Sequence, residues 1–176
     1  MAEPSDHASQ RGWLEEYLRR IPGFRGYLEK EYRRQSDRMA RDYLADRLQR
    51  GKQSIDGLAR VLADAGRLET LPELDRVRGR VDKLIGRIRG AMQGYRGFFD
   101  FVQVDEARLE DVYQHDMDLM RDVEALEQSF AALPQQREEL AGRLRELLAE
   151  LEQLDRRWSQ RDELLRGWNT PWDTLR

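Results

Sequence analysis

Residues 140–158 read LAGRLRELLAELEQLDRRW, and Leu140, Leu144, Leu147, Leu151, Leu154 and Trp158 recur there at alternating spacings of four and three. This is a heptad seam, the pattern of a helix that buries one stripe against other helices. The same spacing runs back through Arg137 and Leu133 to Phe130, Leu126, Val123, Leu119, Asp116, Val112 and Leu109, and Pro134 alone interrupts it. Proline lacks the backbone donor and clashes with the preceding turn. The chain therefore either turns at Pro134 into a fourth antiparallel helix or continues as one kinked helix whose leucine seam needs another chain. The turn is the favoured expectation, because a returning helix would cover an aromatic face over residues 24–43.

Upstream, a first long helix is expected from Phe24 to about Ala65. Phe24, Leu28, Tyr32, Met39 and Tyr43 lie on one face, followed by a seam at Leu44, Leu48, Gly51, Ile55, Leu58, Leu62 and Ala65, and Gly66 is the natural stop. Thr70 with Glu73 reads as a capping box, with Pro72 in the first turn of a second helix. That helix carries Leu74, Val77, Val81, Leu84, Ile88, Ala91 and Tyr95. The stretch from Gly94 to Val104 reads as a loop or loosened helix end, and Asp105 as the cap of the third helix. Antiparallel pairing of the first two helices sets Leu62 opposite Val77 and Leu58 opposite Val81, with the turn centred between Glu69 and Thr70. Pairing the second with the third sets Leu74 opposite Leu126 and Val81 opposite Leu119.

The fold class expected is all-α: an elongated antiparallel bundle of three to four long helices with a short N-terminal amphipathic helix. That short helix carries Trp13, Leu14, Tyr17, Leu18 and Ile21 and ends at Pro22-Gly23. Residues 1–9 are expected to be disordered, residues 10–166 to form a single helical-bundle domain, and residues 167–176 to be a tail containing Trp168 and Trp172. Without a turn at Pro134, the last helix, 134–166, would be a coiled-coil arm.

The 176 residues suit one domain with a real core, and a composition of 37% charged and 39% hydrophobic residues suits long amphipathic helices. Net charge is -3, but unevenly spread: residues 1–100 hold 21 basic and 16 acidic side chains, residues 101–176 hold 10 and 18. Such halves attract each other, within one molecule or between two, which is a simpler account than a nucleic-acid footprint. The absence of cysteine excludes disulfides, thiolate catalysis and zinc ribbons. The start of the chain is polar and acidic, and no apolar run approaches the roughly 18 residues of a membrane span. A cytoplasmic protein is expected, with a membrane-peripheral one as the alternative.

Each candidate for chemistry has a structural explanation. Arg76, Arg80, Lys83 and Arg87 form a basic stripe that could grip phosphate. Asp111, His115, Asp118 and Asp122 form an acidic stripe of the same spacing, and the favoured reading is a salt-bridge zipper between them, with Arg80 near Asp118 and Asp122. One histidine among three aspartates is a poor metal site. A di-iron bundle needs Glu-x-x-His pairs, and the residue three before His115 is Val112. Asp116 lies at the centre of an apolar arc, where an unpaired carboxylate is costly. It is expected to be a core acid accepting hydrogen bonds from an arginine or tyrosine and fixing register. Gly86, Gly90 and Gly94 repeat every four residues, a small-residue face suited to close helix packing. No P-loop glycine pattern and no credible Ser-His-Asp set is present.

Aromatic groups remain once packing is accounted for: Phe98, Phe99 and Phe101 between the second and third helices, Trp168 and Trp172 in the tail, and Trp13 and Tyr17 near the start. These are the candidate interface residues, as anchors or as closures of a bundle end. Over about residues 20–130, Pro22-Gly23-Phe24-Arg25-Gly26-Tyr27, Glu29 to Arg34 and Gly94 to Asp100 make the chain resemble a family of bacterial all-helical, coiled-coil-bundle proteins with no assigned activity. The resemblance implies an association with membrane-associated scaffold systems of the band-7 type. The reading is a non-enzymatic scaffold or adaptor acting by helix–helix interaction or self-assembly, with no cofactor or metal. Its partner is another protein or a second copy of the chain. The alternatives are a peripheral membrane-binding protein using the N-terminal helix and basic stripe, and third a carboxylate metal-binding bundle; nucleic acid is disfavoured.

Overall fold

A computed structural model describes residues 30–91, 106–133 and 137–166. The described residues are all-helical: α1 (Lys30–Asp64), a 3-10 turn (Leu68–Thr70), α2 (Leu71–Gly90), α3 (Glu106–Ala131) and α4 (Arg137–Arg166). The expected segments 1–29, 92–105 and 167–176 lie outside the described residues.

The seams form these helices and hold them together. Leu44, Leu48, Ile55 and Leu62 of α1, Leu74, Val77, Val81, Leu84 and Ile88 of α2, Leu119, Val123, Leu126 and Phe130 of α3, and Leu140 to Trp158 of α4 share one buried cluster. Met117 and Met120 join it, because a core-facing stripe is wider than the strict heptad seam. At about 25 cal/mol per Å² of apolar surface, each buried leucine contributes roughly 1.5–3 kcal/mol, so the cluster outweighs any single polar contact.

The α1–α2 turn closes through its backbone. Gly66 has φ 70, Arg67 N–H donates to the Leu62 carbonyl at 2.8 Å, and Gly66 N–H donates to the Ala63 carbonyl at 2.9 Å. This is a Schellman stop, and glycine meets its positive φ without steric cost. The expected capping box at Thr70 does not form. The chain enters α2 from the 3-10 turn, so Thr70 already has helical dihedrals (φ -93, ψ -12) and caps nothing with its side chain. Its hydroxyl instead donates back to the Arg67 carbonyl at 3.3 Å.

Interhelix contacts give the topology. Asp56–Arg78, Lys52–Asp82 and Asp46–Arg89 pair α1 with α2 antiparallel. They centre the reversal near Arg67, so the expected Leu62–Val77 register is displaced by about one helical turn. α3 and α4 are also antiparallel, with Asp122 on Arg157 and Ser129 on Arg143. α4 thus packs back on α3 among the described residues, while Pro134, where the turn is expected, lies outside them with residues 135 and 136.

α1 runs parallel to α3, as Tyr43–Glu124 and Arg47–Glu127 show. α2 runs parallel to α4, through Arg80–Glu152 and Arg87–Ser159. The neighbours around the bundle are thus α1, α2, α4 and α3, which sets α2 and α3 on a diagonal. The expected antiparallel pairing of α2 with α3 is overturned, since one heptad seam offers any other a similar surface.

The small-residue face is overturned as well. A Cβ built on Gly79, Gly86 or Gly90 meets nothing within 4 Å, while Gly94 lies outside the described residues. The close approach is at Gly51 in the α1 seam, where a Cβ would stand 2.5 Å from Phe130 Cδ2.

Candidate functional site

One level of the core is charged. Asp37 and Arg41 of α1, Asp116 of α3 and Arg161 of α4 are 7%, 5%, 2% and 2% exposed. The Arg161 guanidinium grips Asp116 with two donors, Nε to Oδ1 at 2.5 Å and Nη2 to Oδ2 at 3.0 Å. Nη2 also reaches Asp37 Oδ1 at 2.8 Å, across the α1–α4 diagonal. The other Asp37 oxygen stands 2.9 Å from Arg41 Nη2, and Arg41 Nε donates to the Asp37 carbonyl at 3.3 Å. The Arg161 guanidinium lies over the Trp158 ring, 5.1 Å from its centroid. In this tetrad two carboxylates face two guanidiniums, the pairing under which buried charge is tolerated.

Three of these four residues escaped the sequence reading, and the signal for them was present. Counting back from Leu44 by three and four lands on Arg41 and Asp37; counting on from Trp158 by three lands on Arg161. The seam continues in charged residues. Met39 and Tyr43, expected on the α1 core face, are only half-buried, because the buried stripe follows the seam and not the aromatic side chains.

The stripes form a different zipper from the one expected. Arg80 pairs with Glu152 at 3.1 Å and Arg87 with Asp155, both acids on α4; Arg76 and Lys83 are exposed. Asp118 accepts from Arg121 at 3.0 Å within α3, and Asp122 from Arg157 at 2.5 Å. His115 Nε2 stands 2.9 Å from the Arg157 carbonyl. Among the described residues no ion pair joins the acidic stripe of α3 to the basic stripe of α2: the helices are diagonal and each stripe finds partners on a neighbouring helix or its own.

Part-buried hydrogen bonds and ion pairs line the α1–α3 flank. Tyr43 donates to Glu124 at 2.5 Å while Arg47 lies over its ring. Burial, then the Glu124 hydrogen bond, raises the phenol above its usual range. Glu127 accepts from Arg47 at 2.7 Å and Arg50 at 3.0 Å. Burial works to raise its carboxyl, but the two arginines together hold it below the usual range. Hydrogen bonding to Glu127 raises Arg47 in turn.

Among the described residues no three His, Asp or Glu side chains converge as ligands for a metal ion, and no helix is long and apolar enough to cross a membrane. A groove between α3 and α4, lined by Asp122, Leu126, Glu150 and Leu154, holds about 190 Å³. That is below the roughly 300 Å³ at which small-molecule pockets begin. The candidate interface residues Trp13, Tyr17, Phe98, Phe99, Phe101, Trp168 and Trp172 lie outside the described residues. Their segments nevertheless join the helices at Lys30, Ala91, Glu106 and Arg166, and the up-down order brings those four points to one end of the bundle, the end that holds the tetrad. No protein-family model, curated protein or solved structure matches the chain.

Proposed function

We propose that the protein is a non-enzymatic, cytoplasmic scaffold or adaptor, an elongated antiparallel bundle that docks another protein at the end from which its aromatic-bearing segments depart. The observation that carries this reading is a contrast between core and ends. Among the described residues the leucine seams of the four helices are buried together in one cluster, so they offer little to a partner. The segments holding seven candidate aromatic anchors all join at one end, and buried aromatic clusters dominate protein interfaces. Closed seams also favour docking on a different protein over self-assembly through α4.

The membrane alternative is weakened by Arg80 and Arg87, half of its basic stripe, being engaged by Glu152 and Asp155. The test is site-specific photo-crosslinking in the native cell, with the reactive group at Phe99 in one variant and at Val61, exposed near the opposite end, in another. A single protein partner captured at position 99 and absent at 61 supports the reading. Equal capture at both positions, or crosslinking to lipid alone at 99, opposes it.

A further inference from the structure

The four helices close their two ends by different means. Near the α1–α2 turn the buried side chains are uncharged, apolar at Leu62, Leu74, Val77, Leu140 and Leu144 with the Thr70 hydroxyl beside them. Toward the other end Asp37, Arg41, Asp116 and Arg161 form a buried ionic cluster contributed by α1, α3 and α4, set among the buried apolar residues Ala40, Val112 and Met117. We propose that this tetrad is a latch, a polar closure that makes its end of the bundle open reversibly ahead of the rest.

The physical ground is the difference between separating apolar and ionic layers. Opening an apolar layer exposes hydrocarbon to water with nothing in return. Opening an ionic layer breaks strong pairs but returns four charges to hydration, and for buried pairs that desolvation cost rivals the Coulombic gain. The closed and open states of the tetrad level therefore lie closer in free energy than those of the leucine levels. Geometry makes the opening cooperative. Arg161 ties α4 at one point both to its neighbour α3, through Asp116, and to the diagonal helix α1, through Asp37. Releasing that guanidinium loosens α4 and the α1 stretch around Asp37 together, as one local unfolding unit that also gives up the neighbouring Arg157–Asp122 and Arg87–Ser159 contacts. Opening also uncovers Trp158, 1% exposed when closed, beside the points where the aromatic-bearing segments join. The latch rests on the docking-end reading for its purpose but not for its existence.

Amide hydrogen exchange on the full chain at neutral pH tests it without any partner. Residues 37–44 and 154–161 should exchange at least tenfold faster than residues 55–62 and 144–151. In the quadruple variant Asp37→Leu, Arg41→Met, Asp116→Leu, Arg161→Met that gap should close, by slower exchange at the tetrad end. Equal rates at the two ends of the natural protein overturn the latch, as does a gap that persists in the quadruple variant, which would be plain helix-end fraying. If the quadruple variant fails to fold, Arg161→Lys serves: it keeps the charge and loses the two-donor grip on Asp116. Faster exchange confined to 37–44 and 154–161 then supports the latch, and a uniform change or none refutes it. The crosslinking at Phe99 reads docking independently, so either proposal can fail alone.

Discussion

Arg161 holds two buried carboxylates from two other helices, so removing the charge of either one leaves a cation in the core without full compensation. Breaking a buried ion pair from one side typically costs about 3–5 kcal/mol. Asp116→Asn, which keeps the shape and one acceptor, should therefore lower stability by roughly 3 kcal/mol, read as a lower urea midpoint with an unchanged slope. An unchanged midpoint would remove the tetrad from the account of this core. The glycines give a prediction of opposite signs. Gly51→Ala drives a Cβ to 2.5 Å from the ring of buried Phe130 and should destabilise by about 1–2 kcal/mol. Gly86→Ala meets open space and should stabilise by up to about 1 kcal/mol; thermal melts of both variants decide it. Asp116 was legible in the sequence because an acid interrupts an apolar seam. Asp37, Arg41 and Arg161 carry a fainter signal, because they continue the three-and-four spacing beyond Leu44 and Trp158 in charged residues, which hydrophobic periodicity does not mark as core. Gly51 stood in the seam as written, whereas Gly86 and Gly90 lie off the α2 seam on its solvent side, a distinction that repeat spacing alone does not make.

At the scale of the helix, existence and type were legible from periodicity, and the Gly66 stop from its place after the last seam residue. The Thr70 cap was not, because a preceding 3-10 turn changes where its hydroxyl points, and that turn has no signature in Leu68-Glu69-Thr70. Partner choice was not legible either. Constant heptad offsets let α2 face α3 or α4 equally well, and net charge points to the wrong partner, since α2 carries six bases to three acids and α3 eight acids to two bases, yet α2 packs on α4, where Glu152 and Asp155 meet Arg80 and Arg87. The α1–α3 contact predicts a pH signature. Glu127 is held below its usual range, so its ionised form favours the folded state. That contribution is present above the unfolded carboxyl value of 4.5 and is lost as pH falls through the lowered folded value. Tyr43 is raised above 10.0, so its contribution is complete below that value and is lost as pH rises through the folded one. Urea midpoints from pH 3 to 11 should fall at both limits. Glu127→Gln should flatten the acid side and Tyr43→Phe the alkaline side, and variants that shift the whole curve without changing either slope would contradict the assignment.

Taken as a whole, the molecule is two helical hairpins of opposite charge closed on each other. α1 and α2 together carry 15 bases and 9 acids, α3 and α4 carry 9 bases and 16 acids. The uneven charge visible in the sequence is thus neutralised within the chain, along α1–α3 by Arg47 and Arg50 on Glu127 and along α2–α4 by Arg80 on Glu152 and Arg87 on Asp155. Two consequences can be measured together. These pairs are part-exposed, each worth about 0.2–1 kcal/mol, so raising salt from about 0.01 to 1 M, which shortens the screening length from roughly 30 to 3 Å, should lower stability by about 1–2 kcal/mol. The tetrad is shielded from salt by its burial, so the loss caused by Asp116→Asn should be the same at both salt concentrations. The second consequence is mass. Each hairpin already has its complement in the same chain and the leucine seam of α4 is covered, so light scattering coupled to size exclusion should return about 20.9 kDa across a tenfold range of concentration. If mass instead rises with concentration at low salt and falls back to the monomer at high salt, the hairpins are finding their complements in other copies, and self-assembly replaces docking as the leading account of what this bundle does.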